Sequence, residues 1–171
     1  KGQEVCFGVP EQGGTLTCVG LTKPLPNHSM SCRQFSLNDG QFLFDLKRAG
    51  AGFIVGVSRE GFVLLPKKGI NLPGSIYDED RQAAVYEDFI NSIEGLDVDA
   101  LGLSFVQASD VIERIRAKRP ELILISKIEN SEGLRNCHDI AANSDAVMID
   151  RGDLVAEIGY ENLFPGVEQI A

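Results

Sequence analysis

No apolar run in this sequence approaches the ~20 residues that a membrane-spanning helix requires, and the N-terminus lacks the charged region and apolar core of a secretory signal. A soluble protein of the cytoplasm is the expectation. Basic residues are in deficit: 16 Lys and Arg stand against 25 Asp and Glu, a formal net charge of −9. That balance argues against a general affinity for nucleic acid or an anionic membrane, because phosphate binding is carried by clustered Lys and Arg. It leaves room for a metal or a locally basic site. Histidine occurs only as His28 and His138, and the four cysteines, Cys6, Cys18, Cys32 and Cys137, include no C-x-x-C pair. Zinc ligation and a dense disulfide framework are disfavoured, and the cysteines read as reduced, mostly structural thiols.

What is present divides in two. Up to about Ile70 the chain is rich in Gly, Thr, Ser and Pro and carries short apolar runs at 5–9, 16–19, 41–46, 52–57 and 61–65. Turn signals separate them, notably Asn38-Asp39-Gly40 and Arg59-Glu60-Gly61, and no long helical period occurs. A small all-β domain over 1–70 is expected. Asn38-Asp39-Gly40 reads first as a hairpin turn, with a functional role for Asp39 as the second choice. Lys67 and Lys68 are readable as solvated charge or as contacts to nucleotide phosphates.

After the Gly69–Gly74 segment the grammar changes, and 71–171 is read as a separate α/β domain. Helical spacing over Asp80 to Glu94, with Gly95 to stop it, precedes an apolar strand over Ala100–Val106. A helix capped by Ser109 or Asp110 and halted by Pro120 leads to a strand over Leu122–Ile128. A helix from near Ser131 leads to a strand over Ala146–Ile149, and a last helix begins near Tyr160. Strand starts recur at roughly 22 to 24 residues, the pattern of a parallel α/β architecture. Three strands cannot close a (β/α)8 barrel.

Charges gather at the carboxyl ends of those strands, where α/β folds place their chemistry. Lys127 and Glu129 are two apart and share a strand face, and Asp153 follows the next strand. Each has a plain explanation: Lys127 can extend past a sheet edge, and the carboxylates can cap helices. Three of them at one end favour a site in which carboxylates hold a hard cation such as Mg²⁺ and the Lys neutralises a transferring phosphoryl group or an enolate. Gly152 and Asp153 offer backbone N–H groups at a tight turn, suited to a carboxylate.

Lys127-Ile-Glu129-Asn-Ser-Glu-Gly133 followed by Arg151-Gly152-Asp153-Leu154 resembles the pyruvate kinase family, whose pattern is K-I-E-N-x-E-G and then R-G-D-L. Leu103–Val106, Lys67–Gly74 and Leu37–Gly40 extend the resemblance backwards, more loosely. It implies a partial TIM-type (β/α) barrel preceded by a small all-β lid. It also implies Mg²⁺ on Glu129 and Asp153, and Lys127 stabilising the phosphoryl group in transit between phosphoenolpyruvate and ADP as pyruvate and ATP form in glycolysis. Substrate carboxylate would be held by the N–H groups of Gly152 and Asp153, and nucleotide by Lys68. K⁺ would serve a complete member, with its ligands outside this chain, and homo-oligomerisation belongs to the full-length protein. There are departures: Asp150 stands where the family has Ala, Val155 where it has Gly, and Gln107 where Arg is common. Asp150 is expected to repel an anionic substrate if it faces the site. The rival readings are a pyruvate-dependent aldolase or citrate-lyase-like enzyme, and a non-catalytic relative with a binding or regulatory role. The chain alone is expected to be inactive, since half of the barrel has no counterpart in it.

Overall fold

The computed structural model describes residues 1–8, 16–22, 25, 32–38, 40–50, 52–75 and 78–170. The chain forms two compact units, Lys1–Ser75 and Ile76–Ala171.

The first unit is built on strands β1 (Glu4–Gly8), β2 (Thr17–Val19), β3 (Gln34–Leu37), β4 (Phe42–Gly50), β5 (Phe53–Ser58) and β6 (Ile70–Asn71). They hydrogen-bond in the order β2-β1-β5-β4-β3-β6; β1 and β2 are parallel, and the other pairs antiparallel. The expected turn at Asn38 does join β3 to β4: Asn38 and Gly40 both have positive φ, and the Gln41 N–H donates to the Asn38 carbonyl at 3.1 Å. Asp39 lies outside the described residues. Phe7, Phe35 and Phe44 form the centre of the core, with Phe35 and Phe44 stacked at 5.0 Å and Phe7 edge-on to both. Gly56 on β5 makes room for this cluster, since a Cβ there would lie 2.4 Å from the Phe35 ring. The apolar run 61–65 of the expected β domain is not a strand. Phe62 and Leu64 pack inward while Val63 and Leu65 face solvent, so the alternation is that of a strand, but among the described residues no strand pairs with it.

In the second unit the elements alternate. They are α1 (Glu79–Ser92), β7 (Ala100–Leu103), α2 (Asp110–Lys118), β8 (Ile123–Ile128), α3 (Ser131–Arg135), α4 (Cys137–Asn143), β9 (Ala146–Ile149), α5 (Arg151–Ile158) and α6 (Tyr160–Ile170). The strands β7, β8 and β9 lie side by side and parallel in an open sheet that does not close into a barrel. Its core is aliphatic: Leu101, Leu103, Leu124 and Ile128 from the sheet meet Ile90, Ile112, Ile115 and Ile140 from the helices. Asp78 caps α1 by accepting the Arg81 N–H at 2.9 Å. Ser109 stands at the N-cap position just before α2, but its backbone is already helical and its hydroxyl makes no capping bond.

Two further expectations are corrected here. The helix from Ser131 is two short helices, because Asn136 departs from helical geometry and its amide donates to the Gln107 carbonyl at 2.7 Å. The tight turn at Gly152 is instead the first turn of α5, and the backbone at Val155 is helical, where glycine's freedom is not required.

Candidate functional site

The strands β8 and β9 deliver the site. Along β8, Leu124, Ser126 and Ile128 face the core, so Ile123, Ile125 and Lys127 take the other face. The registered pairs Lys127↔Met148 and Ile128↔Ile149 carry the two chains forward together, so that Glu129 and Asp150 emerge side by side. The Asp150 N–H, donating to the Ile128 carbonyl at 3.3 Å, ties the two strand ends. Beyond Asp150 the chain turns into α5, whose first turn holds Gly152 and Asp153.

The side chains converge. Lys127 Nζ lies 2.5 Å from Glu129 Oε1 and 3.2 Å from Asp150 Oδ2. One carboxylate oxygen each from Glu129, Asp150 and Asp153 falls within 4.8 Å of the others. Glu129 is only 1% exposed, and its second oxygen accepts the backbone N–H of Phe105. All of the donors are hard oxygens at a spacing a single divalent cation can bridge, which suits Mg²⁺, Ca²⁺ or Mn²⁺ rather than a thiolate-seeking metal. The first-turn N–H groups of α5 add partial positive charge beside them.

Burial and pairing set the protonation of the cluster. Burial pushes the Glu129 carboxyl above its ordinary value; Lys127 and the Phe105 N–H oppose this without cancelling it, and Asp153 adds to it. Asp150 is also partly buried, but the hydrogen bond and charge of Lys127 and the nearby Asp153 N–H hold it below the usual carboxylate range. Burial alone would lower Lys127, yet Glu129 and Asp150 together raise it, so it stays charged.

Around this cluster stands a layer of residues to which sequence reasoning gave no role of their own, Gln82 and Tyr86 among them going unnoticed. Phe105, at the carboxyl end of β7, has φ of 54°, an uncommon backbone for a non-glycine residue. That conformation accompanies the N–H that holds Glu129. From α1, Gln82 donates to the carbonyls of Ser104 and Phe105 at 3.2 and 2.9 Å, and the Tyr86 hydroxyl donates to Ser104 at 2.9 Å. Burial pushes the Tyr86 phenol up to about 12, so it remains a donor at neutral pH. The only available signal was a pair of polar residues four apart on the packed side of a helix. Asn130 caps α3 through the Gly133 N–H at 2.7 Å, and its buried amide nitrogen has no partner among the described residues. Gly133 admits this close packing, since a Cβ there would lie 2.4 Å from the Val106 carbonyl oxygen.

The structure thus brings Lys127, Glu129 and Asp153 together, adds Asp150 to them, and puts Gly152 on the adjoining helix turn. Lys68 belongs to the first unit, beside Lys67 at a pocket of about 250 Å³ lined also by Leu37, Leu64 and Ile70.

The family profile described as pyruvate kinase, barrel domain, matches residues 19–170. The chain belongs to the pyruvate kinase family. A pyruvate kinase of Agrobacterium vitis is 36% identical over 99% of this chain and 36% of its own length. A cytosolic isozyme of pyruvate kinase from Nicotiana tabacum is 38% identical over 60% of this chain and 21% of its own length. The pyruvate kinase of Encephalitozoon cuniculi is 37% identical over 68% and 29% respectively. The chain therefore spans between about a fifth and about a third of these pyruvate kinases. Among the described residues, no helix is long and apolar enough to cross a membrane.

Proposed function

We propose that this chain carries the metal-binding centre of a pyruvate kinase-type phosphotransferase, which moves a phosphoryl group between phosphoenolpyruvate and ADP in the cytoplasm. The observation that carries the reading is the meeting of Lys127, Glu129 and Asp153 at the ends of two neighbouring parallel strands. Glu129 and Asp153 would hold Mg²⁺; once bound, the ion supplies positive charge to the oxygens of the substrate and of the phosphoryl group in flight. Lys127 is the residue of this chain that meets the negative charge developing on that group. The N–H groups of Gly152 and Asp153, at the start of α5, would bind the substrate carboxylate, that of Asp153 in exchange for its bond to Asp150. Phe105 fixes Glu129 by a main-chain bond, which keeps the carboxylate from swinging toward solvent. The first unit would act as the lid, with Lys68 contacting nucleotide.

Three parallel strands in an open sheet do not enclose a substrate, so the 171-residue chain alone is expected to bind Mg²⁺ but not to form pyruvate. The test is thermal unfolding with Mg²⁺ and phosphoenolpyruvate, alongside an assay for pyruvate. Mg²⁺-dependent stabilisation that disappears in Glu129→Gln is expected. Its absence would overturn the metal site, and measurable turnover would overturn the inactivity.

A second reading has one observation in its favour. Asp150 faces the cluster and pairs with Lys127, as a non-catalytic relative that had given up phosphoryl transfer would allow.

A further inference from the structure

We propose that Asp150 is the specificity-determining residue of this site, exchanging affinity for an anionic phosphoryl ligand for affinity for the divalent cation. The inference rests on the reading above and adds to it a residue that the family pattern does not supply.

The geometry gives Asp150 two neighbours of consequence. Its Oδ2 is 3.2 Å from Lys127 Nζ, and one of its oxygens lies within 4.8 Å of carboxylate oxygens from both Glu129 and Asp153. The Asp150 side chain is 31% exposed and that of Lys127 21%, so water screens this pair less than it would a pair on an open surface. An ammonium has three N–H donors, and two of those on Lys127 are already directed at carboxylates. A phosphoryl oxygen approaching Lys127 has to share it or displace one of them.

Charge gives the direction of the effect. Three carboxylates surround one ammonium, so the metal-free cluster is anionic and repels a phosphorylated ligand. A divalent cation brings it to neutrality. With alanine at position 150 the same cation would leave one surplus positive charge, which an anionic ligand would find attractive. Asp150 thus makes cation binding the stronger event and leaves the loaded site without a net charge to attract the phosphoryl group. It also offers the cation a third oxygen, which two-carboxylate sites leave to water.

The experiment compares the full 171-residue chain with Asp150→Ala, Asp150→Asn and Glu129→Gln. Mn²⁺ alone is titrated and the free ion followed by electron paramagnetic resonance; phosphoenolpyruvate is then titrated by calorimetry at saturating Mn²⁺. On removal of the charge at 150, Mn²⁺ affinity is expected to fall and phosphoenolpyruvate affinity to rise, each on the order of tenfold. Asp150→Asn keeps the shape and one oxygen, so it should match Asp150→Ala in the gain for phosphoenolpyruvate, where charge is the cause, and lose no more Mn²⁺ affinity than Asp150→Ala; circular dichroism identifies any variant that fails to fold. Unchanged Mn²⁺ affinity in both Asp150 variants, or no gain for phosphoenolpyruvate, would overturn this proposal alone if Glu129→Gln still abolishes Mn²⁺ binding. A wild-type chain that binds no Mn²⁺, or whose Mn²⁺ affinity Glu129→Gln leaves unmoved, would overturn the underlying reading with it.

Discussion

The two units bury different things. The first encloses aromatic rings, Phe7, Phe35 and Phe44, beside a six-stranded sheet, and its Arg59 and Asp45 pair at the surface at 2.7 Å. The second has a core of Leu, Ile and Val and also buries a carboxylate, Glu129, at 1% exposure. A buried carboxylate costs stability unless charge and hydrogen bonds attend it. The second unit surrounds it with Lys127, the Phe105 N–H and, behind these, Gln82 and Tyr86. One region is organised by packing alone and the other by packing that has to accommodate a charge.

Substitutions can break or sharpen that contrast. The largest effect is expected from Phe44→Ala, which removes a fully buried ring with three aromatic neighbours, Phe7, Phe35 and Phe62, and should cost about 3–5 kcal/mol. Urea unfolding measures it, and a loss below about 1 kcal/mol would mean that the ring cluster is not what holds the first unit together. Gln82→Leu should be milder, about 1–2 kcal/mol, because it takes the side-chain donor from the Phe105 carbonyl and leaves the Ser104 carbonyl to Tyr86. Unlike Phe44→Ala, it should also weaken Mn²⁺ binding, through the loop that holds Glu129. Normal Mn²⁺ affinity in that variant would show that the loop keeps its shape without α1.

The smallest effect is a pH dependence. The Leu124 N–H and Arg116, both at 2.8 Å, hold the Asp145 carboxyl below its ordinary value. A carboxylate lowered by folding contributes stability above its unfolded pKa, about 3.9, and loses it as pH falls through the folded value. Asp145→Asn should therefore be less stable than the wild type near neutrality, with the difference closing in acid. A difference that persisted undiminished at pH 2 would assign the effect to shape.

The parts of this architecture that were legible in the sequence are those that local chemistry dictates. The alternation of apolar runs with helical periods gave β7, β8 and β9 and the helices between them, and Pro120 marked the end of α2. Lys127 and Glu129 stood out because charge at the end of an apolar strand requires a reason. Other features were beyond such reading. The break at Asn136 depends on the Gln107 carbonyl, 29 residues away. The unpaired run 61–65 has the alternation of a strand, and only the tertiary fold decides whether a strand has a neighbour. Helix α5 was concealed by a glycine at its second position and a β-branched Val155 further on. Asp150 was noticed as a departure from the family pattern, but its pairing with Lys127 emerges only when β8 and β9 lie in register.

The amide of Phe105 has a consequence for how this protein would look in a mutational scan. The bond to Glu129 comes from the main chain, so almost any side chain at 105 still presents it. With φ at 54°, glycine and asparagine are the residues best suited to that backbone, while proline would delete the donor outright. A scan would score position 105 as permissive to several polar and small residues and intolerant of proline. A residue in direct contact with the centre would thereby pass for an ordinary loop position.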